Sequence, residues 1–212
     1  MSNKQFSSYR LGSLILLDLG IPEKKELFEM NGDSIGREYI VEWRKLPEDE
    51  KNSIDTRVRT LTKIVLNRII KYQAMMPVNI ANCIVVHLRL GDVVAGTQDH
   101  EAIKRPFSLE YYENIIPIEA REKGKIYVIG NCFFAKTSSK NHQECIQKSR
   151  TYLNEFLTKF NAIYYNGGNA DIDLCFAVQS NLFIQGRGYY SSVISKVRRM
   201  IGRESIECDV TE

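Results

Sequence analysis

Short apolar runs separated by helical stretches constrain the fold of this chain more than any other feature. The runs cover residues 83–86, 126–129, 162–165 and 182–184, and they are rich in β-branched and aromatic side chains. Continuous apolar runs of this length are typical of strands that are buried on both faces. Strands that alternate with helices predict an α/β fold with a Rossmann-like parallel sheet and helices on both of its faces.

The helical stretches have recognisable beginnings and ends. Ser108 is placed to cap a helix over 109–115, and a second helix is predicted over 142–160. Asp171 or Asp173 opens a third helix that runs to residue 179, and a fourth covers 190–201. Upstream, apolar residues at helical spacing predict a helix after Asp55, the expected N-cap, with Pro77 as its stop. Before it, we expect a strand over 14–17, a short helix over 23–30, a turn over 31–33 and a strand over 39–43.

Length and composition bound the class of protein. The 212 residues, 43% of them hydrophobic, suit one α/β domain over 81–212 with a small N-terminal part over 1–80. A net charge of +3 is too mild to indicate nucleic-acid binding. We see no transmembrane segment and no signal peptide, and the five cysteines lack CxxC spacing. These features predict a soluble, cytoplasmic protein with reduced thiols.

In open parallel sheets, ligands bind at the carboxyl ends of the strands, which here means the loops after residues 86, 130, 165 and 184. The first of these loops reads His87-Leu88-Arg89-Leu90-Gly91-Asp92. A guanidinium held at a strand end offers a fixed fork of donors that suits a diphosphate. Gly91 allows the backbone to turn, and Asp92 is a candidate for fixing the loop or for acting as a base. The alternative for Arg89 is an ordinary ion pair with a carboxylate.

The loop after the fourth run contains Gly186-Arg187-Gly188-Tyr189-Tyr190 and continues with Ser191 and Ser192 into a helix. Glycines allow a ligand to approach the backbone, and the amino end of a helix favours an anion. Arg187 adds positive charge. The alternative is an ordinary turn with a serine cap, because a Gly-x-Gly alone is weak evidence for a nucleotide site.

Asp171-Ile172-Asp173 has the DxD form that holds a divalent cation in one large class of glycosyltransferases. In that class the motif follows an apolar strand. Here it follows the polar stretch 166–170 and leads into a helix, which favours a capping role over a metal site.

The segment His87-Leu88-Arg89-Leu90-Gly91-Asp92 after an apolar strand resembles the His-x-Arg-x-Gly-Asp motif of the α-1,2-, α-1,6- and protein O-fucosyltransferase superfamily. An Asp-led helix beginning at Asp173, the run 182–184 and a turn ending at Ser191 resemble the later motif of the same superfamily. The resemblance covers roughly residues 80–201. It implies the donor-binding half of a GT-B fold, in which two Rossmann-like domains face each other, with residues 1–80 as a reduced acceptor-side region.

The resemblance also implies a reaction and roles for individual residues. The chain would transfer a sugar such as fucose from a GDP-sugar to a glycan hydroxyl, with inversion and without a metal or other cofactor. Arg89 would bind the β-phosphate and stabilise the departing GDP, His87 would lie against the nucleoside, and Asp173 would accept hydrogen bonds from guanine. Tyr190 and Ser191, with neighbouring amides, would hold the phosphates or sugar. From their residue types and positions, Arg187, Gly188 and Ser192 are further candidates for donor binding, and Asp92 is the candidate base.

Two further hypotheses stay open. The first is a non-catalytic nucleotide-sugar-binding or scaffolding module, which is motivated by Leu90 at a position where many members of the superfamily carry a second arginine. The second is a metal-dependent glycosyltransferase that uses Asp171 and Asp173. Hydrolysis of a donor separates an enzyme from a binding module, and sensitivity to EDTA separates the two enzymes.

Overall fold

The computed structural model describes residues 34–51, 53–77, 79–91, 94, 106–123, 125–133, 142–168 and 170–207. The expected strand over 14–17, helix over 23–30 and turn over 31–33 lie outside these ranges, as does Asp92.

The first described segment is helical. It comprises helices α1 (Ser34–Arg44), α2 (Glu48–Lys51) and α3 (Ile54–Tyr72), followed by 3₁₀ turns over Gln73–Met75 and Ile80–Asn82. The N-cap of α3 is Ser53, whose hydroxyl accepts from the amide of Thr56, so the assignment of Asp55 was wrong. Asp55 lies in the first turn, where its charge still favours the helix dipole.

The expected strand over 39–43 was wrong, since these residues lie in α1. Ile35 and Tyr39 are buried and Trp43 is partly buried, which is the i, i+4, i+8 spacing of one helix face. That face packs on α3, and a short β-branched and aromatic run was misread as a strand because it forms part of a helical stripe.

The remaining elements alternate as the sequence predicts. They are β1 (Ile84–His87), β2 (Leu90–Gly91), α4 (Leu109–Ile115), α5 (Ile118–Glu122), β3 (Ile126–Ile129), β4 (Cys132–Phe133), α6 (His142–Lys159), β5 (Ile163–Tyr164), α7 (Ala170–Gln179), β6 (Leu182–Ile184), α8 (Tyr189–Met200) and β7 (Ser205–Ile206). Ser108 caps α4 as expected, accepting from the amide of Tyr111. The first strand starts one residue late, because the amide of Cys83 still closes the preceding 3₁₀ turn on Ile80.

The main sheet has the order β5-β3-β1-β6-β7, and every pairing in it is parallel. β1 is central: Val86 pairs in register with Val128 of β3 and with Ile184 of β6. Strands β2 and β4 form a second, two-stranded parallel sheet just beyond the carboxyl ends of β1 and β3. These two short strands and β7 were not predicted, because two residues carry no periodic signal.

Two apolar cores cover the main sheet. On one face, Val85 and Phe183 pack with α1, α3, α7 and α8; on the other, Val86 and Ile184 pack with α4 and α6. Alternate residues of a strand thus enter opposite cores. The predicted fold class, an α/β Rossmann-like parallel sheet with helices on both faces, is confirmed.

The small N-terminal part predicted over 1–80 stays a prediction as a separate unit. Within its described residues, α1 and α3 share a core with α7, α8 and the central strand. Cys83, Cys145 and Cys175 are buried free thiols, as expected for reduced cysteines. None of the helices in the described ranges has both the length and the apolar character that crossing a bilayer requires.

A buried arginine joins elements at the amino end of β6. Arg198 of α8 is 0% exposed, and its Nη1 donates to the carbonyls of Ala177, Val178 and Ser180 at 2.8–3.0 Å. Its remaining nitrogens donate to the carbonyls of Asn181 and Glu204. The guanidinium therefore satisfies carbonyls at the carboxyl end of α7 and connects this helix end to the segments that precede β6 and β7.

Candidate functional site

The two loops singled out in the sequence meet at the carboxyl ends of the neighbouring strands β1 and β6. A Cβ added to Gly186 would overlap the backbone carbonyl of His87 and lie 2.7 Å from its Nδ1. A Cβ added to Gly188 would lie 3.7 Å from Cδ of Arg89. The loop after β6 therefore lies directly against the segment after β1, and Gly186 permits this approach because it has no side chain.

His87 is the last residue of β1 and is 6% exposed. Its ring meets the ring of Tyr190 edge to face, with centroids 5.5 Å apart, and its Nδ1 is a buried atom without a hydrogen-bond partner. Burial, followed by the nearby positive charge of Arg89, lowers the pKa of His87 to about 3. The imidazole is thus neutral near pH 7 and is a weak base.

Arg89 is half-buried and lies between β1 and β2, so both of its flanks are held by strand pairing. Its aliphatic stem runs beside Gly188, the N-cap residue of α8. The loops after residues 86 and 184, both expected to bind ligand, thus meet at Arg89 and the start of α8.

The start of α8 is shaped by Gly188, whose φ of 104° lies in a region that side chains disfavour. Gly188 is the N-cap residue of α8 and has no side chain, so it makes no side-chain hydrogen bond to the first amides of the helix. The hydroxyl of Ser191 donates to the carbonyl of Gly186 at 2.5 Å and also lies 3.0 Å from the carbonyl of Gly188, which closes the loop onto the first turn. Ser191 therefore has a structural role in this loop, while Ser192 is half-buried in the same turn.

Two side chains of this loop reach other parts of the fold. The hydroxyl of Tyr190 donates to the carbonyl of Ala170 at 2.7 Å and so ties the amino ends of α7 and α8 together. The guanidinium of Arg187 lies 4.5 Å from the ring centroid of Phe107, which stacks on Tyr111 at 4.1 Å. Arg187 thus makes a cation–π contact with the segment that precedes α4.

The two carboxylates of the DxD sequence bind different parts of the backbone. Oδ2 of Asp171 accepts from the amide of Ile35 at 3.0 Å, and Oδ1 of Asp173 accepts from the amide of Gly167 at 2.8 Å. Both residues are buried in the first turn of α7. The helix begins at Ala170, so both aspartates lie inside it, and the expectation that one of them opens and caps the helix was wrong. They instead hold α1 and the loop after β5 at the positive end of the α7 dipole.

Asn131 is a polar residue of this region that was not among the predicted site residues, although a ligand was expected in the loop after residue 130. His87 pairs with Ile129, and Leu90 pairs with Cys132, so the two chain segments keep the same register before and after residue 89. In that register Asn131 lies opposite Arg89. Both amide atoms of Asn131, Nδ2 and Oδ1, are buried without a hydrogen-bond partner. No sequence signal identifies such an atom, because its burial and its lack of partners arise from tertiary packing.

No protein-family model matches the chain. No curated protein matches it either. Among solved structures, it is similar to an apo form of POFUT1, a protein O-fucosyltransferase, with a TM-score of 0.39 and 15% identity over 68% of this chain and 47% of the other.

Two structures of POFUT1 in complex with GDP-fucose give TM-scores of 0.36 at 15% identity, over 65% of this chain and 45% or 44% of theirs. The chain spans less than half the length of the structures that it matches. The fold and the site define a Rossmann-like α/β protein with an arginine at the central strand end.

Proposed function

We propose that this chain binds a nucleoside-diphosphate sugar at the carboxyl ends of β1 and β6 and acts as a glycosyltransferase. The observation that carries the proposal is the approach of Arg89 to Gly188, the residue at which α8 begins. A permanent cation and the positive end of a helix dipole then lie at one crevice, which is the electrostatic setting that a diphosphate requires.

The chemistry of glycosyl transfer explains why this arrangement suits catalysis. Negative charge builds up on the leaving diphosphate as the glycosidic bond breaks, so a pre-placed cation stabilises the transition state more than the ground state. One charge-assisted hydrogen bond contributes about 1.5–3 kcal/mol. At about 1.4 kcal/mol for each factor of ten, Arg89 would account for roughly a tenfold to hundredfold increase in rate.

The other residues of the site receive supporting roles. The neutral ring of His87, packed on Tyr190, forms an apolar wall for the nucleoside. Gly188 and the first turn of α8 as far as Ser191 present backbone amides to the phosphates. The amide of Ser192 donates to the carbonyl of Gly188 at 3.4 Å, so Ser192 would contribute through its hydroxyl. Arg187 contributes positive charge from the position fixed by Phe107.

GDP is the proposed nucleotide, and fucose is the proposed sugar, because of the superfamily resemblance of the motifs around Arg89 and Asp173. A guanine presents two N–H donors on one edge, and a carboxylate accepts both. The hydrogen bond from the Gly167 amide supports this role by holding the carboxylate of Asp173 in one orientation.

The proposed reaction inverts the anomeric centre, needs no metal and delivers the sugar to a glycan hydroxyl. Binding of Asp171 and Asp173 to separate backbone amides supports a metal-independent site. Because His87 is a poor base, a carboxylate is the better candidate to activate the acceptor, and Asp92 remains that candidate.

A panel of sugar nucleotides tests the proposal. The purified protein is heated with GDP-fucose, GDP-mannose, UDP-glucose, dTDP-glucose or a CDP-sugar, and hydrolysis of each donor is followed in parallel with and without EDTA. We expect GDP compounds to stabilise the protein by about 2.7 kcal/mol at 100 times their dissociation constant. A preference for UDP would overturn the GDP assignment, binding without turnover would indicate a non-catalytic module, and loss of turnover with EDTA would indicate a metal-dependent enzyme.

A further inference from the structure

The unpartnered carboxamide of Asn131 extends the candidate site. It follows β3 at the carboxyl edge of the sheet, where the shared register of the β1–β3 and β2–β4 pairs places it opposite Arg89. Gly130, immediately before it, packs against the carbonyl of Leu88, with no room for a Cβ. The hydroxyl of Tyr164 donates to the Gly130 carbonyl at 2.8 Å. The backbone that carries Asn131 is therefore fixed on both sides.

The energetics of this side chain point to a ligand. A buried polar group without a partner destabilises the folded protein, and Asn131 has two such atoms. Asn131 as a whole is only half-buried and lies at the carboxyl edge of the sheet, where the strand-end loops meet. A bound ligand that supplies the missing hydrogen bonds to Asn131 would remove this destabilisation.

The pair of orphaned atoms also selects the chemistry of the partner. Nδ2 donates and Oδ1 accepts, so the complementary group must both accept and donate. A phosphate oxygen accepts only, which suits Arg89 but not both atoms of Asn131. A hydroxyl, and better a pair of neighbouring hydroxyls, satisfies both atoms at once.

We propose that Asn131 binds hydroxyl groups of the bound nucleotide sugar next to the diphosphate held by Arg89. This proposal rests on the proposed function. Neighbouring hydroxyls occur on the transferred sugar and on the ribose, which flank the diphosphate on its two sides, and the experiment below distinguishes them.

The first measurement is the melting temperature of the protein without ligand. Asn131→Leu keeps nearly the same volume and removes both unsatisfied atoms, so we expect the melting temperature to rise by about 2 °C or more. Asn67→Leu, at an exposed position of α3, is the control and should have little effect. A fall in the melting temperature of Asn131→Leu would mean that the carboxamide bonds within the protein, and would overturn the proposal.

The second measurement is calorimetric titration with GDP-fucose, GDP and 2′-deoxy-GDP. If Asn131 binds the sugar, Asn131→Leu weakens GDP-fucose binding roughly tenfold and leaves GDP binding unchanged. If it binds the ribose, the variant weakens GDP and GDP-fucose equally, and the wild-type protein loses a similar factor with 2′-deoxy-GDP. If the variant binds all three compounds as tightly as the wild-type protein does, the proposed role of Asn131 is overturned and the proposed function is not. Failure of the wild-type protein to bind any of them would overturn the proposed function and this inference with it.

Discussion

Arg89 and Gly188 lie in direct proximity, although 98 intervening residues separate them in the chain: a Cβ on Gly188 would be 3.7 Å from Cδ of Arg89. This places the side chain that follows the central strand at the start of α8. The loop geometry that creates the contact depends on two glycines with different physical requirements, and this difference is testable.

Gly186 is required for space rather than for backbone conformation. In Gly186→Ala, the new Cβ meets the backbone carbonyl of His87, which cannot move without disturbing β1, so we expect a loss of about 2–3 kcal/mol of unfolding free energy. Gly202→Ala is the control: its φ is 71° but no atom lies within 4 Å of the added Cβ, so only backbone strain of about 1 kcal/mol applies. Urea denaturation of both variants provides the comparison, and equal losses would contradict close packing of Gly186 on His87.

The buried imidazole of His87 predicts a pH dependence of stability. Its pKa is lowered to about 3 in the folded protein, against about 6.5 in an unfolded chain, so between these values only the unfolded state gains the proton. The contribution of the neutral His87 to the free energy of unfolding is fully present above pH 6.5. It is lost as the pH falls towards 3, by at most about 1.4 kcal/mol for each pH unit. Urea denaturation from pH 7 to pH 4 should show a shallower fall for His87→Phe than for wild type; parallel curves would mean that His87 is accessible and protonates in the folded state.

Removal of the buried guanidinium of Arg198 should lower the free energy of unfolding strongly. Arg198→Met keeps much of the side-chain volume but leaves the buried carbonyls of Ala177, Val178 and Ser180 without this donor, so we expect a loss of at least about 3 kcal/mol. Arg199→Met, one residue along, is the matched control. Arg199 pairs with Glu207 on the surface, and its loss should cost less than about 1 kcal/mol. Similar urea midpoints for the two variants would refute the structural role of Arg198.

Asp171 is predicted to be a structural carboxylate that acts without metal. Asp171→Ala removes the acceptor of the Ile35 amide, so we expect a loss of about 1.5–3 kcal/mol in buffer containing EDTA and faster hydrogen exchange at the start of α1. Asp55→Ala, in the exposed first turn of α3, serves as the control. If the Asp171 variant differed from wild type only when a divalent cation was added, the DxD hypothesis would regain support.

The fold was largely predictable from sequence because the buried strands are continuous apolar runs. Residues 126–129 and 182–184 form strands with the predicted bounds, and the approach of Arg89 to the start of α8 follows from the parallel topology. The role of Asp171 was not predictable, since its partner Ile35 is 136 residues away and sequence spacing alone cannot pair them. The segment over 39–43 was misread because its burial in a helical stripe depends on packing against α3, a tertiary contact that outweighs local β propensity.

The candidate site was also predictable from the sequence only in part. The sequence identified the loops after β1 and β6 because their residue types, arginine and glycine, have intrinsic suitability for phosphate. It did not identify Asn131, whose residue type is unremarkable in a loop and whose significance lies in two buried atoms that have no partner.

The central claim is that Arg89 binds the diphosphate of a sugar nucleotide. The most direct test is calorimetric titration of GDP-fucose into wild type, Arg89→Ala, Arg89→Lys and the surface control Arg199→Ala, with the melting temperature of each variant measured alongside. We predict that Arg89→Ala weakens binding and donor turnover by roughly tenfold or more while the protein stays folded, because one charge-assisted contact is lost. Arg89→Lys should recover only part of the affinity, since a lysine keeps the charge but lacks the bidentate fork, and Arg199→Ala should bind like wild type. Equal affinity and turnover for wild type and Arg89→Ala would contradict the account.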